Sequence, residues 1–153
     1  MNIFFLDRDV AQNAIYHTDS HVVKIILESC QMMATAYPQG TAPYKRTHAN
    51  HPMSVWVRSH ADNFLWTLSY CYALCAEYTY RFDKIHKSQA VADWYFNNLP
   101  DIPDGFTDPP RCFGQFVVPI TEDVVTDYRN YYKVAKAHLF KWKNREIPPF
   151  ITK

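Results

Sequence analysis

The segment from His21 to Ala34, HVVKIILESCQMMA, constrains the fold more than any other. It holds no Gly and no Pro. Val22, Val23, Ile25, Ile26, Leu27, Cys30, Met32, Met33 and Ala34 surround it on almost every side when it is wound as a helix. Each residue of a helix turns by about 100°. His21, Lys24, Glu28 and Gln31 therefore fall within roughly 80° of arc, and His17 joins them when the helix starts one turn earlier. A helix that apolar needs neighbours on most of its surface. The narrow polar seam has two readings. One is a surface stripe, with Lys24 and Glu28 as an i,i+4 ion pair. The other is a cleft lined by an acid, a base and an amine. The wide apolar arc favours the cleft, because buried Lys, His and Glu are costly without partners.

The rest of the chain reads as the helices that cover this one. Its 153 residues suit one domain, 1–153, with a core of its own. Eleven Tyr, 10 Phe and 4 Trp stand against only 3 Gly, which argues for helices packed by aromatic rings rather than a turn-rich β fold. Asn2–Leu6 (NIFFL) is a strand or an extended segment pinned in the core. A short helix is expected over Asp9–Tyr16, and a long one from Thr18 or Ser20 to about Tyr37, stopped by Pro38, Gly40 and Pro43. Pro52 suits the first turn of the next helix, which runs to about Phe82 with a break near His60. Another is expected over His86–Leu99. Five Pro and two Gly between Pro100 and Thr121 mark a long loop, and a last helix runs to about Lys143. The fold class is thus mainly α: a compact single-domain bundle of about five helices, with a short N-terminal extended segment and a long Pro-rich loop before the last helix.

Net charge is +1, so no global field gathers nucleic acid. Lys133, Lys136, Lys141, Lys143, Arg145 and Lys153 against Glu146 alone form a basic C-terminal run. It reads as a solvated face or as a phosphate-contacting edge. Cys71 and Cys75 sit on one helix face as small core residues. No CxxC occurs, and no signal peptide or membrane span is read, so the expectation is a cytoplasmic protein with free thiols.

Three further groups of residues carry possible chemistry. The loop before Pro52 offers Lys45, His48, Asn50 and His51, which suit a phosphate, a base edge or, with His17, His21 or Glu28, a metal. No strong metal pattern is present, so neither metal nor cofactor is assigned. Tyr78, Tyr80, Arg81, His86 and Lys87 resemble a stacking and phosphate-binding surface, although Glu77 and Arg81 at i,i+4 also suit a simple pair. Arg129 among tyrosines, and Trp142 amid Lys141, Lys143 and Arg145, interleave aromatics with cations. Gly-rich phosphate loops and GxSxG are absent, which excludes kinase, dinucleotide-binding and α/β-hydrolase readings.

The strings NIFFLDRD, YHTDSHVVKIILESCQMM, YKRTHANHPMSVWVRSHADNFLW, EYTYRFDKIHKSQ and WKNREIPPF resemble a family of small bacteriophage proteins. In the order of its parts the chain is similar to the pyrimidine-dimer DNA glycosylases of the endonuclease V type. That resemblance implies a small all-helical protein with a catalytic Glu on an early helix, matched here by Glu28. It also implies an aromatic-basic tail, matched by Trp142–Arg145. Those glycosylases attack the sugar with an N-terminal amine freed by removal of Met. Asn2 is large for that removal, so Met1 is expected to stay. Lys24, on the same helix face as Glu28, is then expected to replace the amine, provided burial makes it nucleophilic.

The sequence reading is therefore a phage-type, glycosylase-like or base-modifying enzyme acting on DNA or a nucleotide in the host cytoplasm. Glu28 is the acid/base, Lys24 the nucleophile or stabiliser, and His21 a catalytic neighbour. Lys45, His48, Asn50, His51, Arg58, Arg81, His86, Lys87 and Arg129 are candidate phosphate or substrate contacts. Trp56 and Trp142 are candidate stacking walls for an extruded base. The alternative is a non-catalytic nucleotide-binding protein that sequesters a signal nucleotide or counters a host defence. A homodimer is compatible with either.

Overall fold

A computed structural model describes residues 1–152. Lys153, the end of the basic run, lies outside the described residues. The chain is mainly α. Among the described residues six helices follow one another: α1 (Val10–Tyr16), α2 (Asp19–Ala34), α3 (Pro52–Ser59), α4 (Ala61–Phe82), α5 (Gln89–Asn97) and α6 (Val124–Ala135). A single 3-10 turn, Ala137–Leu139, follows α6. No helix among the described residues is long and apolar enough to cross a membrane.

Local chemistry sets most of the boundaries. Asp9 caps α1 by accepting from the Gln12 N–H at 2.9 Å, and Asp123 caps α6 by accepting from Thr126 N–H at 3.1 Å. At α3, Pro52 fills the first turn while the His51 ring, through Nδ1, accepts from Met53 N–H at 3.1 Å. The break expected near His60 is present. Its backbone is extended because the long loop captures the first amides of α4: Ala61 N–H donates to Pro103 and Asp62 N–H to Gly105. Three ends differ from the sequence reading. α2 stops at Ala34 rather than about Tyr37, with the Thr35 hydroxyl donating to the Met32 carbonyl. α5 starts at Gln89, three residues later than His86, because the His86 ring caps the preceding turn through Ser88 N–H. α6 stops at Ala135 rather than Lys143. Beyond the 3-10 turn the chain is held against α2 and α1 instead: Asp19 N–H donates to the Lys141 carbonyl, and Trp142 Nε1–H to the Tyr16 carbonyl.

α4 is the central helix, with α1, α2, α3 and α5 packed on it. The N-terminal segment is extended and pairs with no strand. Ile3, Phe4, Phe5 and Leu6 are all buried, so its polar backbone must find partners elsewhere. Asn13 Oδ1 accepts from Leu6 N–H, and Arg129 Nε–H donates to the Leu6 carbonyl. The Asn2 amide donates to the Cys112 carbonyl across the molecule. These bonds lay the first residues across α2 and α6. Phe4 stacks on His21 of α2 at 4.6 Å and meets Tyr132 of α6 edge-on at 5.2 Å. The four cysteines are free thiols, with Cys30, Cys71 and Cys75 inside the core.

Candidate functional site

The polar seam on α2 straddles the edge of the core. His21 and Glu28 are buried, while Lys24 and Gln31 stand toward solvent. Directly over His21 and Glu28 lies the start of the chain. Met1, Asn2 and Phe4, with His21, Lys24, Ile25 and Glu28, form one side of a cleft of ≈ 240 Å³. His51, Cys112, Gly114, Tyr131 and Lys136 complete it.

Glu28 is the centre of this cleft and is only 6 % exposed. Its Oε1 lies 3.2 Å from the α-amine of Met1, a residue that is half-buried. Its Oε2 has no hydrogen-bond partner, with Lys24 Nζ the nearest cation at 3.7 Å. Lys24 is not buried: its side chain is 67 % exposed. Burial, on which the Lys24 nucleophile reading depended, is therefore missing there, whereas the Met1 amine lies closer to the carboxylate.

The histidines are held neutral around the carboxylate. Burial is the main cause that brings His21 down to about 3, with His17, Lys136 and Lys24 adding positive charge nearby. Its Nδ1 lies 2.7 Å from the Tyr132 hydroxyl, which fixes the ring. His17, fully buried behind it, is also lowered to about 3, chiefly by desolvation. Its Nδ1–H donates to the Asn13 carbonyl at 2.6 Å, so Nε2 accepts from the Tyr70 hydroxyl at 2.6 Å. His51 is lowered by burial first, then by the Met1 ammonium and His48. Because its Nδ1 accepts a backbone N–H, the neutral ring carries its proton on Nε2. Lys136 completes the wall, with Nζ 5.7 Å from the Phe4 ring centre and 6.0 Å from that of Tyr131. Desolvation lowers its pKa, helped by Lys24 and opposed by Glu28.

Charge is also partitioned along the chain in a way that net charge hides. No Asp or Glu occurs between Glu28 and Asp62, between Asp108 and Glu122, or between Asp127 and Glu146. Those acid-free stretches supply His51, then Cys112 and Gly114, then Tyr131 and Lys136 to the cleft. Lys45, Arg46, Arg58, Lys133, Lys136, Lys141 and Lys143 all lie in them and make no ion pair among the described residues.

Of the residues singled out in the sequence, the cleft gathers Glu28, Lys24, His21 and His51. Lys45, His48 and Asn50 are exposed on the loop leading into His51 and do not line it. Arg58 donates to the Ala49 carbonyl and braces that loop. The others are engaged elsewhere. Arg81 is buried, bound to Glu77, Asp19 and the carbonyls of His17 and Ile15, so it offers a phosphate nothing. Arg129 holds Leu6 and Asp7. His86 donates to the Val23 carbonyl, and Lys87 is exposed beyond α4, away from the cleft. Trp56 is buried, its Nε1–H donating to the Thr107 carbonyl, and Trp142 is anchored to Tyr16. Neither can act as a stacking wall in the cleft. The sequence reading gave the N-terminal amine's role to Lys24 rather than Met1, and did not place Phe4, Tyr131 or Lys136 at the site. Among the described residues, no group of three or more His, Cys, Asp or Glu side chains is arranged to hold a metal ion. Comparison of the chain with protein-family models, with curated proteins and with solved structures finds no match.

Proposed function

We propose that this protein is a DNA-base or nucleotide-processing enzyme of glycosylase-like chemistry, acting in the Glu28 cleft. One observation supports the reading above the others: Glu28 is buried with one oxygen beside the Met1 amine and the other without a hydrogen bond. A half-satisfied buried carboxylate costs free energy, and such costs concentrate where a group is kept for chemistry. The partner this reading implies is DNA or a nucleotide, in keeping with the phage resemblance.

In the proposed step Glu28 takes a proton from the Met1 ammonium, and the freed amine forms a bond to C1′ of the sugar. The C1′–N bond to the base breaks, and the base leaves with that electron pair and takes up the proton held by Glu28. The new secondary ammonium loses a proton to Glu28. Glu28 returns it to O4′ as the C1′–O4′ bond opens, leaving an iminium between the amine and C1′. Water then releases the sugar and the amine. His21 and His51 orient sugar and phosphate, and Lys24 and Lys136 stabilise the phosphate charge. A free amine on residue 1 is a condition of this step, and the intact mass of the protein checks it.

Borohydride reduces an iminium to a stable amine. Incubation with duplex DNA carrying a pyrimidine dimer or an abasic site is expected to give a covalent adduct, absent with unmodified duplex. No adduct on either substrate would contradict the reading. The net charge of +1 favours a second one, a binder of small nucleotides. Calorimetry showing tight binding of a nucleotide that is recovered unaltered would favour that reading instead.

A further inference from the structure

We propose that the loop from Gly114 to Ile120 is a wedge that enters the base stack of duplex DNA beside the nucleotide held in the cleft. The inference rests on the reading of the Glu28 cleft given above. Val117 is 96 % exposed and Ile120 62 %, with Phe116 beside them at 39 %. These apolar side chains are gathered at one place. They line a groove of ≈ 600 Å³ that shares His51, Cys112 and Gly114 with the cleft.

The root of the loop is rigid and its tip is free. Cys112 N–H donates to the Tyr128 hydroxyl, and Phe113 stacks on Tyr131 at 4.6 Å. Phe116 meets the edge of the same Tyr131 at 6.0 Å. Tyr131 is a wall of the Glu28 cleft, so the loop is tied to the chemistry through one ring. Val117 has no such anchor and stands in solvent.

Charge complementarity selects the occupant. The loop carries no carboxylate, and two cations, Lys24 (paired with Glu28) and the unpaired Lys136, flank the cleft it adjoins. An apolar tip beside a cleft that carries these cations fits a polyanion with an apolar interior, which is stacked DNA. The geometry also requires such a device. A carboxylate as buried as Glu28 cannot reach a sugar inside an intact stack, so the target nucleotide must swing out. Unstacking is unfavourable, and apolar side chains inserted at the gap offset it.

Val117 and Ile120 are surface residues, so Val117→Ser and Ile120→Ser are expected to leave the melting temperature unchanged. The test compares borohydride trapping on an abasic site in duplex and in single-stranded DNA. A second readout is the fluorescence of 2-aminopurine placed next to the site, which rises on unstacking. Val117→Ser is expected to slow trapping on the duplex by roughly tenfold and on the single strand by less than about twofold, and to abolish the fluorescence rise. Equal loss on both strands, or no loss on the duplex, would overturn the wedge. So would a change of sedimentation coefficient in Val117→Ser, since the loop would then lie between two copies of the chain. Wild-type protein that traps neither strand would instead sink the underlying reading of Glu28, and the wedge with it.

Discussion

Two buried glutamates in this molecule sit in opposite conditions. Glu77 on α4 is only 4 % exposed, and both its oxygens are saturated. Arg81 donates to it at 2.7 Å, and Arg145 makes two further bonds at 2.9 and 2.8 Å. Those bonds hold its pKa below the ordinary range against the opposing effect of burial. Arg81 goes on to bind Asp19 and two carbonyls, and Asp19 accepts from the Lys143 amide. The cluster ties α1, α2, α4 and the C-terminal segment into one unit. Glu28 on α2 is almost equally buried but has an amine on one side and nothing bonded on the other. A completed network is what structure requires. An incomplete one in an open cleft is what a substrate can complete. Burial and charge alone do not separate the two; the partner count does.

The largest way to sharpen this contrast is Glu28→Gln. Trapping is expected to fall by roughly 10²- to 10⁴-fold, the usual contribution of a positioned acid/base. Stability measured by urea denaturation is expected to change by less than about 1 kcal/mol, because little bonding is lost. Arg81→Met should do the reverse. It strands Asp19 and two carbonyls in the core and is expected to cost about 3–5 kcal/mol in the same denaturation experiment. A Glu28→Gln protein as destabilised as Arg81→Met would erase the distinction between the two sites.

Acidity tests the shared boundary. His17 and His21 stay neutral in the folded protein down to about 3, whereas in the unfolded chain they take up protons near 6.5. As pH falls from about 6.5 toward 3 the unfolded state binds protons that the native state refuses, so stability falls. Each histidine contributes at most about 1.4 kcal/mol per pH unit within that window. Thermal midpoints between pH 7 and pH 5 should decline accordingly, and imidazole NMR signals of both residues should stay at their neutral positions. Titration near pH 6.5 in the native protein would contradict the burial of this pair. The smallest effect belongs to Lys24→Ala. Its pair with Glu28 is exposed on one side, so stability is expected to shift by a few tenths of a kcal/mol and trapping by less than about threefold.

How far the sequence could be read follows from the same contrast. The buried α2 helix and its seam are local facts of periodicity, and so are the Pro52 start of α3 and the loop rich in Pro. They were legible. The convergence of Met1, Tyr131 and Lys136 on Glu28 joins residues over a hundred positions apart, and no local pattern encodes it. The signals available were Lys136 in the basic run and the resemblance to glycosylases that use an N-terminal amine. Arg81, Arg129, Trp56 and Trp142 show the opposite failure. A cation or an aromatic at helical spacing looks the same whether it faces a ligand or a backbone carbonyl. Only the partners in the fold, such as Asp19 and the carbonyls of Leu6, Thr107 and Tyr16, distinguish them. The end of α6 is of the same kind, since contacts with Asp19 and Tyr16 overrule the helical pattern after Ala135.

The most direct test of the central claim is to locate the trapped adduct. Duplex DNA carrying an abasic site is reduced with borohydride in the presence of the protein, and the adduct is digested and mapped by mass spectrometry. The account predicts the sugar on the α-amine of Met1 and loss of the adduct in Glu28→Gln. An adduct on Lys24, or an undiminished adduct in Glu28→Gln, would contradict it.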